Sequence, residues 1–544
     1  MKITSLGHAG FVVETEGAVV VTDPWMSEHG AFDSGWSQFP RNHALAPLAR
    51  QKLEEPGKAR FLYVSHEHGD HFDRAFLHSI QKRDFTVVVP RFARRAMRDV
   101  FDGYRCRETI YCEDGQEIPF PGGQLKLYVC DSSLNRDSAL LVHGDGRAFL
   151  DLNDCKIHDR LPSIVATEGP IDVFTSQFSG AVWHPTCYDY DPAFYGAVSR
   201  KKMFGKFEAV ARAILAVRPR AFLASAGPAC FLDPDQLHLN FQEVNIFPRA
   251  PKFFSYLERR LRDFRPRLVE PMPGDVLDVT TCEPIHLAAE RITDQTFDRY
   301  VRAYARRMAP LFATRRRPVG AAQAEDIALG LGAELSRKLD AFPLRSRVSF
   351  PLYVVVEELA GRALRVDFSG NRVERVDEVP ASDRYVLRAR AFDLGRVLER
   401  ALTWEEFLLS FRLRLSRVPD RYDPLLHGFL ALEAEDLPTF CEKVLANEAR
   451  RERIEVEAGG RRYSVVRYCP HQGADLAQGW IENGSFLVCP RHRWRFDLED
   501  GGRCCANGCS IDARPCDEKP SDAPAEEGRT SRMDWITGWT GRPM

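Results

Sequence analysis

The chain has 544 residues, of which 44% are hydrophobic and 28% charged, a globular composition that excludes a collagen-like, repetitive or wholly disordered protein. At about 150 residues per domain, this length predicts three or four domains. The 75 Lys and Arg nearly balance the 77 Asp and Glu, so the net charge of -2 offers no electrostatic basis for binding nucleic acid or an anionic membrane. Fourteen cysteines are too sparse for a secreted disulfide scaffold.

The amino-terminal region has an alternating apolar pattern without the continuous apolar stretch or cleavage site of a signal peptide. Nowhere does an apolar run reach the length of a transmembrane helix, so we expect a cytoplasmic protein. From residue 2 to about 180, short β-rich runs alternate with turns, and helical spacing appears at 91–100 and 206–217. This mixture predicts a layered α/β domain over residues 1–284.

The middle of the chain predicts a helical linker followed by a small α/β domain, together spanning residues 285–435. The linker is Arg-rich, and its run Arg315-Arg316-Arg317 is expected to be a solvated helix end. Strand–turn–strand patterning then precedes amphipathic helices predicted at 394–402 and 404–415. The domain resembles sterol-carrier-like domains, and we expect it to serve in packing or in shielding a substrate.

Two further segments complete the chain. Residues 436–515 form a third unit, predicted to be all-β, which carries paired cysteines and histidines. Residues 516–544 are rich in Pro, Ser and Glu, a composition that predicts disorder.

The clearest motif lies in the third unit, where Cys469-Pro470-His471 and Cys489-Pro490-Arg491-His492 each supply one thiolate and one imidazole. Two cysteines on one iron and two histidines on the other is the ligand set of a Rieske [2Fe-2S] cluster. The same residues could form a closed zinc site, but zinc fingers pair Cys with Cys and His with His. The mixed loops therefore favour Rieske ligation by Cys469, His471, Cys489 and His492.

The second loop continues His492-Arg493-Trp494-Arg495-Phe496, which resembles the His-Gly-Trp-x-Phe sequence of Rieske oxygenases and their ferredoxins, with Arg493 in place of Gly. Ala474 stands where the Rieske proteins of respiratory complexes carry a disulfide-forming Cys, so that bridge is not expected. A Rieske cluster transfers single electrons and performs no substrate chemistry. Residues 516–544 are too few to form a catalytic domain, so we expect the electron acceptor to lie upstream.

Upstream, a predicted strand at 61–65 runs into His66-Glu67-His68-Gly69-Asp70-His71. This resembles the HxHxDH motif of the metallo-β-lactamase fold, an αββα sandwich in which a sharp loop directs ligands at one or two metals. The resemblance implies metal ligands at His66, His68, Asp70 and His71, with Glu67 facing away. It also implies a bridging carboxylate at Asp154, after the strand at 148–152, with Asp151 as the alternative. Imidazoles and carboxylates suit iron or zinc.

The HxHxDH motif leaves the remaining metal ligands of the site undetermined. The third histidine of the fold should precede the strand at 139–142, where this chain offers the carboxylates of Asp131 and Asp137 instead. The last histidine should follow the strand at 221–225, where the chain reads Ala226-Gly227-Pro228, and His184 and His238 are the candidate replacements. A standard dizinc hydrolase is therefore not expected.

The opening Gly7-His8-Ala9-Gly10, with Asp23-Pro24-Trp25, resembles the branch of the fold that contains ascorbate-phosphate lactonases and N-acyl phospholipid phosphodiesterases. Within this motif, His8 is predicted to be a structural or supporting group rather than a ligand.

Together the two motifs resemble the CMP-N-acetylneuraminate hydroxylase family. Supporting stretches are Asn153-Asp154-Cys155, Gln177-Phe178-Ser179-Gly180-Ala181 and Trp404-Glu405-Glu406-Phe407-Leu408-Leu409-Ser410. The domain order differs, because that family places its Rieske unit first. The resemblance implies a Rieske-coupled, iron-dependent monooxygenase that uses O2 to hydroxylate a sugar nucleotide or another small metabolite.

No Gly-rich dinucleotide fingerprint appears, so we expect an external NAD(P)H-dependent reductase or a ferredoxin as electron donor. One alternative is a metal-dependent hydrolase, a lactonase or phosphodiesterase, that uses a metal-activated water and carries the Rieske unit as a redox sensor or electron-transfer module. Another is an electron carrier with an inactive amino-terminal site. The fused cluster favours the oxygenase over the hydrolase, and the intact HxHxDH motif argues against an inactive site.

Overall fold

The computed structural model describes residues 1–287, 291–313, 318–359 and 361–516. The predicted tail, apart from Cys516, and the run Arg315-Arg316-Arg317 lie outside the described residues. The predicted α/β multidomain class is confirmed, with a layered amino-terminal unit, a middle unit built on a sheet and an all-β sheet region near the carboxyl end. Among the described helices, none combines the length and apolarity needed to cross a membrane.

The amino-terminal unit contains two sheets and six helices. Its strands are β1 (Lys2–Gly7), β2 (Gly10–Glu14), β3 (Ala18–Thr22), β4 (Ala59–Tyr63), β5 (Thr86–Pro90), β6 (Glu108–Cys112), β7 (Glu117–Phe120), β8 (Gly123–Asp131), β9 (Arg136–Gly144), β10 (Arg147–Asp151), β11 (Val173–Gln177), β12 (Ala221–Ser225), β13 (Arg267–Val269), β14 (Val276–Asp278) and β15 (Glu283–Ile285). Its helices are α1 (Ala46–Leu53), α2 (Arg74–Ser79), α3 (Ala96–Phe101), α4 (Leu161–Glu168), α5 (Pro192–Val217) and α6 (Ala250–Arg260).

The two sheets pack face to face in the orders β15-β14-β1-β2-β3-β4-β5-β6 and β13-β12-β11-β10-β9-β8-β7. Continuous apolar strands such as β3 and β5 are buried on both faces, as expected for the centre of a layered fold. Side chains from both sheets form the inner core, where Phe11 and Phe149 meet edge to face at 5.8 Å. Helices cover each outer face. This arrangement is the predicted αββα sandwich.

Helix α5 is longer than the sequence pattern indicated. The predicted segment 206–217 is only its second half, because the helix begins at Pro192 after Asp191, whose side chain accepts hydrogen bonds from two backbone amides of the first turn. The helix ends at Arg218, which adopts a left-handed conformation with φ 51°.

The middle unit has one five-stranded sheet in the order β18-β17-β16-β19-β20. Its strands are β16 (Leu352–Val356), β17 (Ala363–Asp367), β18 (Arg372–Val376), β19 (Arg384–Ala389) and β20 (Arg414–Val418). The helices of this part of the chain are α7 (Asp294–Ala313), α8 (Ala321–Asp340), α9 (Ala391–Leu398), α10 (Trp404–Leu409), α11 (Pro424–Ala431) and α12 (Leu437–Glu448).

The predicted helix at 404–415 is wrong at its carboxyl end. Thr403 and Glu406 form a capping box that starts α10, but the chain leaves the helix after Leu409, and Phe411 takes a φ of 59°. Residues from Arg414 onward pair antiparallel with β19 instead. Leu415 is fully buried there, so tertiary packing overrode the helical periodicity.

The middle unit shares its core with the amino-terminal unit. Phe411 packs edge to face on Trp36 at 5.6 Å and stacks on Phe231 at 5.6 Å, and both partners belong to the amino-terminal unit. Trp183 lies in the same buried cluster. The predicted packing role of the middle unit is therefore observed in the structure.

The carboxyl-terminal sheets have the orders β21-β22-β27 and β23-β24-β25-β26. Their strands are β21 (Arg453–Ala458), β22 (Arg461–Val466), β23 (Trp480–Glu482), β24 (Phe486–Val488), β25 (Arg495–Asp497), β26 (Arg503–Cys504) and β27 (Arg514–Pro515). Helix α12 precedes them, and its Leu437, Phe440 and Cys441 pack into the core of the middle unit. All fourteen cysteines lie within the described ranges, and none of them forms a disulfide there.

A buried ion pair between the first two units predicts a large mutational effect. Arg412 Nε lies 3.0 Å from Asp233 Oδ2, and the two side chains are 3% and 5% exposed. Replacing Arg412 by Ala should lower the free energy of unfolding by about 3 kcal/mol, because it leaves a buried carboxylate without its guanidinium. Chemical denaturation measures the change. Arg414→Ala is the matched control, since its pair with Asp189 is 48% and 40% exposed and should contribute less than about 1 kcal/mol. Equal losses in the two variants would contradict the assignment.

Candidate metal centres

The HxHxDH loop follows β4 and is anchored by Asp23, which follows the neighbouring strand β3. One carboxylate oxygen of Asp23 accepts a hydrogen bond from the Ser65 backbone amide at 2.8 Å, and the other accepts from the Ser65 hydroxyl at 2.6 Å. The second oxygen also lies 2.7 Å from His71 Nδ1. Because Nδ1 of His71 interacts with Asp23, the other ring nitrogen of His71, Nε2, faces the remaining residues of the loop.

The five predicted ligands converge at this edge of the sandwich. His66 Nε2 lies 3.0 Å from His68 Nδ1, and His71 Nε2 lies 3.6 Å from Asp154 Oδ1 and 4.0 Å from Asp70 Oδ2. The ligand atoms of His66, His71 and Asp154 all lie within 4.8 Å of one another. The five residues that the sequence predicts as metal ligands therefore lie in one cluster: His66, His68, Asp70, His71 and Asp154.

The unpaired atoms of this cluster fit a cation. His71 Nε2 and one oxygen each of Asp70, Asp137 and Asp154 are buried without a hydrogen-bond partner. Burying such atoms unpaired is costly unless a metal ion takes them as ligands. Burial would lower the pKa of His71, but the carboxylates of Asp23 and Asp70 raise it to about 10. This excess of negative charge, with imidazole and carboxylate donors, suits iron or zinc.

Asp137 takes the place in which the sequence comparison expected a third histidine. It lies at the start of β9, and antiparallel pairing brings that end beside the end of β10, where Asp154 follows. Its Oδ1, the oxygen without a hydrogen bond, approaches His66 Nδ1 to 3.1 Å but not in hydrogen-bonding geometry. Asp131 instead bonds Lys443 at 2.5 Å. Of the two candidate carboxylates, only Asp137 lies in the cluster.

The histidines considered outside the HxHxDH motif differ in their position relative to the metal-ligand cluster. His184 Nε2 lies 3.1 Å from the Tyr190 hydroxyl, and neither His184 nor His238 belongs to a converging ligand group among the described residues. His8, which was predicted to be a supporting group, places Nε2 3.1 Å from Asp70 Oδ2 and forms a converging group with Asp70 and His71. It therefore lies where the missing last histidine would be needed. The signal in the sequence was the position of His8 in the motif Gly7-His8-Ala9-Gly10. In the structure this motif forms a tight turn, in which His8 has a φ of 53°.

The middle unit reaches into this site through Glu405, which the sequence analysis did not single out. Its Oε1 lies 3.4 Å from His68 Nε2, the nitrogen that faces away from His66. Burial would lower the pKa of His68, but Glu405 raises it to about 9. Arg136 donates to Glu405 at 3.0 Å and to Glu67 at 2.8 Å, so Glu67 faces away from the metal ligands, as predicted. Glu405 orients His68 as a supporting carboxylate.

The second centre lies in the two carboxyl-terminal loops. The buried thiols of Cys469 and Cys489 interact with each other, and the rings of His471 and His492 are 4.7 Å apart. Both ring nitrogens of His471 and Nδ1 of His492 are buried without hydrogen bonds. These four residues therefore fit a [2Fe-2S] cluster with thiolate and imidazole ligands.

Arg493, which replaces the Gly of the oxygenase loop pattern, is accommodated by the local backbone. Arg493 adopts a φ of 59°, the left-handed conformation for which Gly is the usual residue. Its backbone amide still donates to the Cys489 carbonyl at 3.0 Å, so the loop closes with Arg in this position. The adjacent Trp494 stacks on His471 at 4.1 Å and covers that ligand.

Two contacts seat the carboxyl-terminal loops on the amino-terminal unit. Arg491 forms a bidentate ion pair with Asp159, at 2.7 and 2.9 Å, and the two side chains are 11% and 3% exposed. His492 Nε2 lies 3.0 Å from the side-chain amide of Asn135. Asn135 is two residues from Asp137, so the second centre lies directly beside the first. Neither Asn135 nor Asp159 belongs to a motif, so no local pattern indicated their roles.

Comparisons with known proteins agree with this architecture. Residues 432–510 match the family model of the Rieske [2Fe-2S] domain, and residues 2–121 match that of a beta-lactamase superfamily domain. The chain thus carries an amino-terminal metallo-β-lactamase fold and a carboxyl-terminal Rieske domain, which implies a [2Fe-2S] cluster. The two domains follow the order predicted from the sequence, with the Rieske domain at the carboxyl end.

Three relatives illustrate the similarity. A Mycobacterium tuberculosis protein (strain H37Rv), provisionally named a Rieske 2Fe-2S iron-sulfur protein, is 27% identical over 529 residues, covering 93% of this chain and 98% of its own length. A cholesterol 7-desaturase of Bombyx mori is 34% identical over 114 residues, 21% of this chain and 22% of its own. The structure of CmlA, a diiron beta-hydroxylase from Streptomyces venezuelae, is 15% identical with a TM-score of 0.33, covering 53% of this chain and 54% of that one.

The ligand assignment of the Rieske centre predicts a selective spectroscopic loss. Replacing Cys469 by Ser should abolish the Rieske absorption and EPR signal, because one iron loses a thiolate, while metal stays bound at the amino-terminal site. EPR together with metal analysis measures both effects. Cys505→Ser is the matched control, since Cys505 is a neighbouring free thiol outside the ligand set. A retained Rieske signal in the Cys469 variant would refute the assignment.

Proposed function

We propose that this protein is a Rieske-coupled, iron-dependent monooxygenase, which hydroxylates a small metabolite at the metallo-β-lactamase-fold site. The observation that carries the proposal is the contact between His492 and Asn135. It places a ligand of the one-electron centre against the peptide segment that supplies Asp137 to the other centre. A hydrolase has no need of such a connection.

The connection consists of residues within one chain. Nδ1 of His492 is buried without a partner and would hold the cluster, so Nε2 would carry the proton and donate a hydrogen bond to the side-chain oxygen of Asn135, which takes the place of the amide nitrogen when that side chain is flipped. The backbone then leads to Asp137, whose Oδ1 is 3.1 Å from His66 Nδ1. This short route of bonds supports electron transfer without a second subunit.

The residues of the two centres have distinct roles in the proposed reaction. When bound, the [2Fe-2S] cluster supplies single electrons and iron at the amino-terminal site supplies oxygen activation. His66, His68, Asp70, His71 and Asp154 would hold the iron. Asp23 and Glu405 orient two of these histidines, and Trp494 shields the Rieske ligand His471 from water.

Each hydroxylation inserts one oxygen atom of O2 into a C–H bond and reduces the other to water with two electrons and two protons. The electrons come from an external NAD(P)H-dependent reductase or a ferredoxin. The resemblance to CMP-N-acetylneuraminate hydroxylases makes a sugar nucleotide a candidate substrate. The local similarity to a cholesterol 7-desaturase supports an oxidative role for the Rieske domain.

The requirement for oxygen and a reductant tests the function. Candidate substrates should be converted by the holoprotein only when both O2 and an electron donor are present, because a hydroxylation needs both. Mass spectrometry of the product, with 18O2 as the oxygen source, measures the outcome. Full turnover in anaerobic buffer without reductant would instead establish the metal-dependent hydrolase, in which a metal-activated water is the nucleophile.

The contact at Asn135 can be tested without knowing the substrate. After chemical reduction, reoxidation of the cluster by O2 should be at least about tenfold slower in Asn135→Leu than in the wild type, because the Leu side chain cannot bond His492. Stopped-flow absorption measures the rate. Asn135→Asp is the control, since its carboxylate still accepts from His492 Nε2. Unchanged reoxidation in the Leu variant, with metal bound at both centres, would exclude this route.

A further inference from the structure

Two cysteines outside both predicted ligand sets face each other across a short hairpin in the Rieske domain. Arg503, in β26, forms an antiparallel bridge with Ser510, and this register places Cys504 directly opposite Cys509. The Cys504 backbone amide donates to the Cys509 carbonyl at 2.6 Å, and the Gly508 amide donates to the Cys504 carbonyl at 2.9 Å. Opposite residues of an antiparallel pair point to the same face, so the two sulfurs lie on one face of the hairpin. We call Cys504 and Cys509 the hairpin thiols.

The backbone of the hairpin has the spacing that a disulfide needs. Opposite residues that share a backbone hydrogen bond in an antiparallel pair have Cα atoms about 5.5 Å apart. Disulfides span Cα separations of about 4.4–6.8 Å. Cys504 lies in the buried apolar cluster of the domain, and Cys509 packs against that same cluster. Joining the hairpin thiols therefore requires no rearrangement of the backbone.

Hydrogen bonds favour a thiolate at one of the two sulfurs. The Ala506 backbone amide donates to Cys504 Sγ at 3.4 Å, and such a bond stabilises the charged form of a thiol. The neighbouring Cys509 thiol and this amide lower the pKa of Cys504, although burial opposes them. A thiolate beside a second thiol is the arrangement in which one sulfur attacks an oxidant and the other completes a disulfide.

The hairpin thiols are easier to reach from solvent than the cysteines of the cluster. Cys504 is buried, but Cys509 is half-buried at a surface turn, and the adjacent Gly508 is exposed. The ligand cysteines Cys469 and Cys489 are only 1% and 0% exposed. A small oxidant in solution therefore meets the hairpin thiols, through Cys509, before it meets the thiolates of the cluster.

The hairpin is joined directly to the second Rieske loop. Cys504 in β26 pairs with Phe496 in β25, the strand that follows this loop. The Cys505 backbone amide donates to the Arg495 carbonyl at 3.0 Å. Arg495 in turn follows the tryptophan whose ring stacks on the ligand His471. The hairpin thiols therefore lie in the sheet that supports the [2Fe-2S] centre.

We propose that Cys504 and Cys509 are a redox-active pair, separate from both metal centres, that a peroxide oxidises to a reversible disulfide. One thiolate attacks an oxygen of hydrogen peroxide, the O–O bond breaks, and hydroxide leaves a sulfenic acid behind. The second thiol then forms the S–S bond and displaces water. The two thiols together lose two electrons and two protons, and one peroxide becomes two water molecules. An external dithiol reverses the reaction by thiol–disulfide exchange.

The inference is independent of the proposed function, since it involves neither the substrate nor the amino-terminal metal. It predicts an order of events under oxidation. Because the cluster ligands are closed to solvent, the disulfide should form while the [2Fe-2S] centre is still intact.

Thiol labelling of the full-length holoprotein tests the hairpin thiols. The reduced protein is treated with a slight excess of hydrogen peroxide, denatured and alkylated, and mass spectrometry of the tryptic peptide that begins at Cys504 shows which cysteines escape the label. Cys504 and Cys509 should lose the label together, at least about tenfold faster than the Rieske absorption bleaches. Dithiothreitol should restore both labels. Cys505→Ser is the matched control, because this neighbouring thiol lies outside the pair and its replacement should leave the disulfide unchanged.

Replacing either member of the pair should abolish the disulfide within this peptide. If Cys504→Ser fails to fold because its side chain is buried, Cys509→Ser decides the question, since Cys509 is half-buried. Three results would overturn the inference. These are hairpin thiols that remain labelled until the Rieske absorption has bleached, a disulfide that uses Cys505 or Cys516 instead, and a loss of label that dithiothreitol does not reverse.

Discussion

The buried ion pair between Arg491 and Asp159 determines how the two metal centres face each other. Arg491 lies inside the second Rieske loop, next to His492, and Asp159 follows the strand and loop that supply Asp154. The bidentate geometry of this ion pair fixes both the orientation of the second Rieske loop and its distance from the amino-terminal unit. The backbone amide of Asp475 also donates to Asp159, at 3.1 Å, so one carboxylate holds both Rieske loops.

The seating of the Rieske loops creates the remaining features of the centre. It brings His492 onto Asn135, two residues from Asp137. The middle unit packs Tyr422 against His471 and orients His68 through Glu405. The shared hydrophobic core around Phe411 keeps this unit in place, so a unit without metal ligands of its own still shapes both centres.

The distribution of charge around the amino-terminal site is uneven. Glu67 and Glu405 neutralise Arg94 and Arg136 on one side, where the surroundings are closed by protein. Near Asp154, Lys206 bonds Gln177, which in turn bonds Asp154, and Lys206 forms no ion pair with a carboxylate among the described residues.

The sequence by itself determined the two ligand motifs, because each lies within one or two short loops and its residues need no distant partner to be recognised. Cys469, His471, Cys489 and His492 belong to two such loops, and His66 to His71 form one. It also indicated most strands of the sandwich, whose apolar runs are buried on both faces. Only the tertiary structure decided between Asp131 and Asp137, placed His8 beside Asp70, and converted the end of the predicted helix at 404–415 into a strand. It alone joined Asn135 to His492 and Arg491 to Asp159, because these contacts link residues more than 300 positions apart. No local periodicity or spacing records such pairs, since they form only when separate units bury surface against one another.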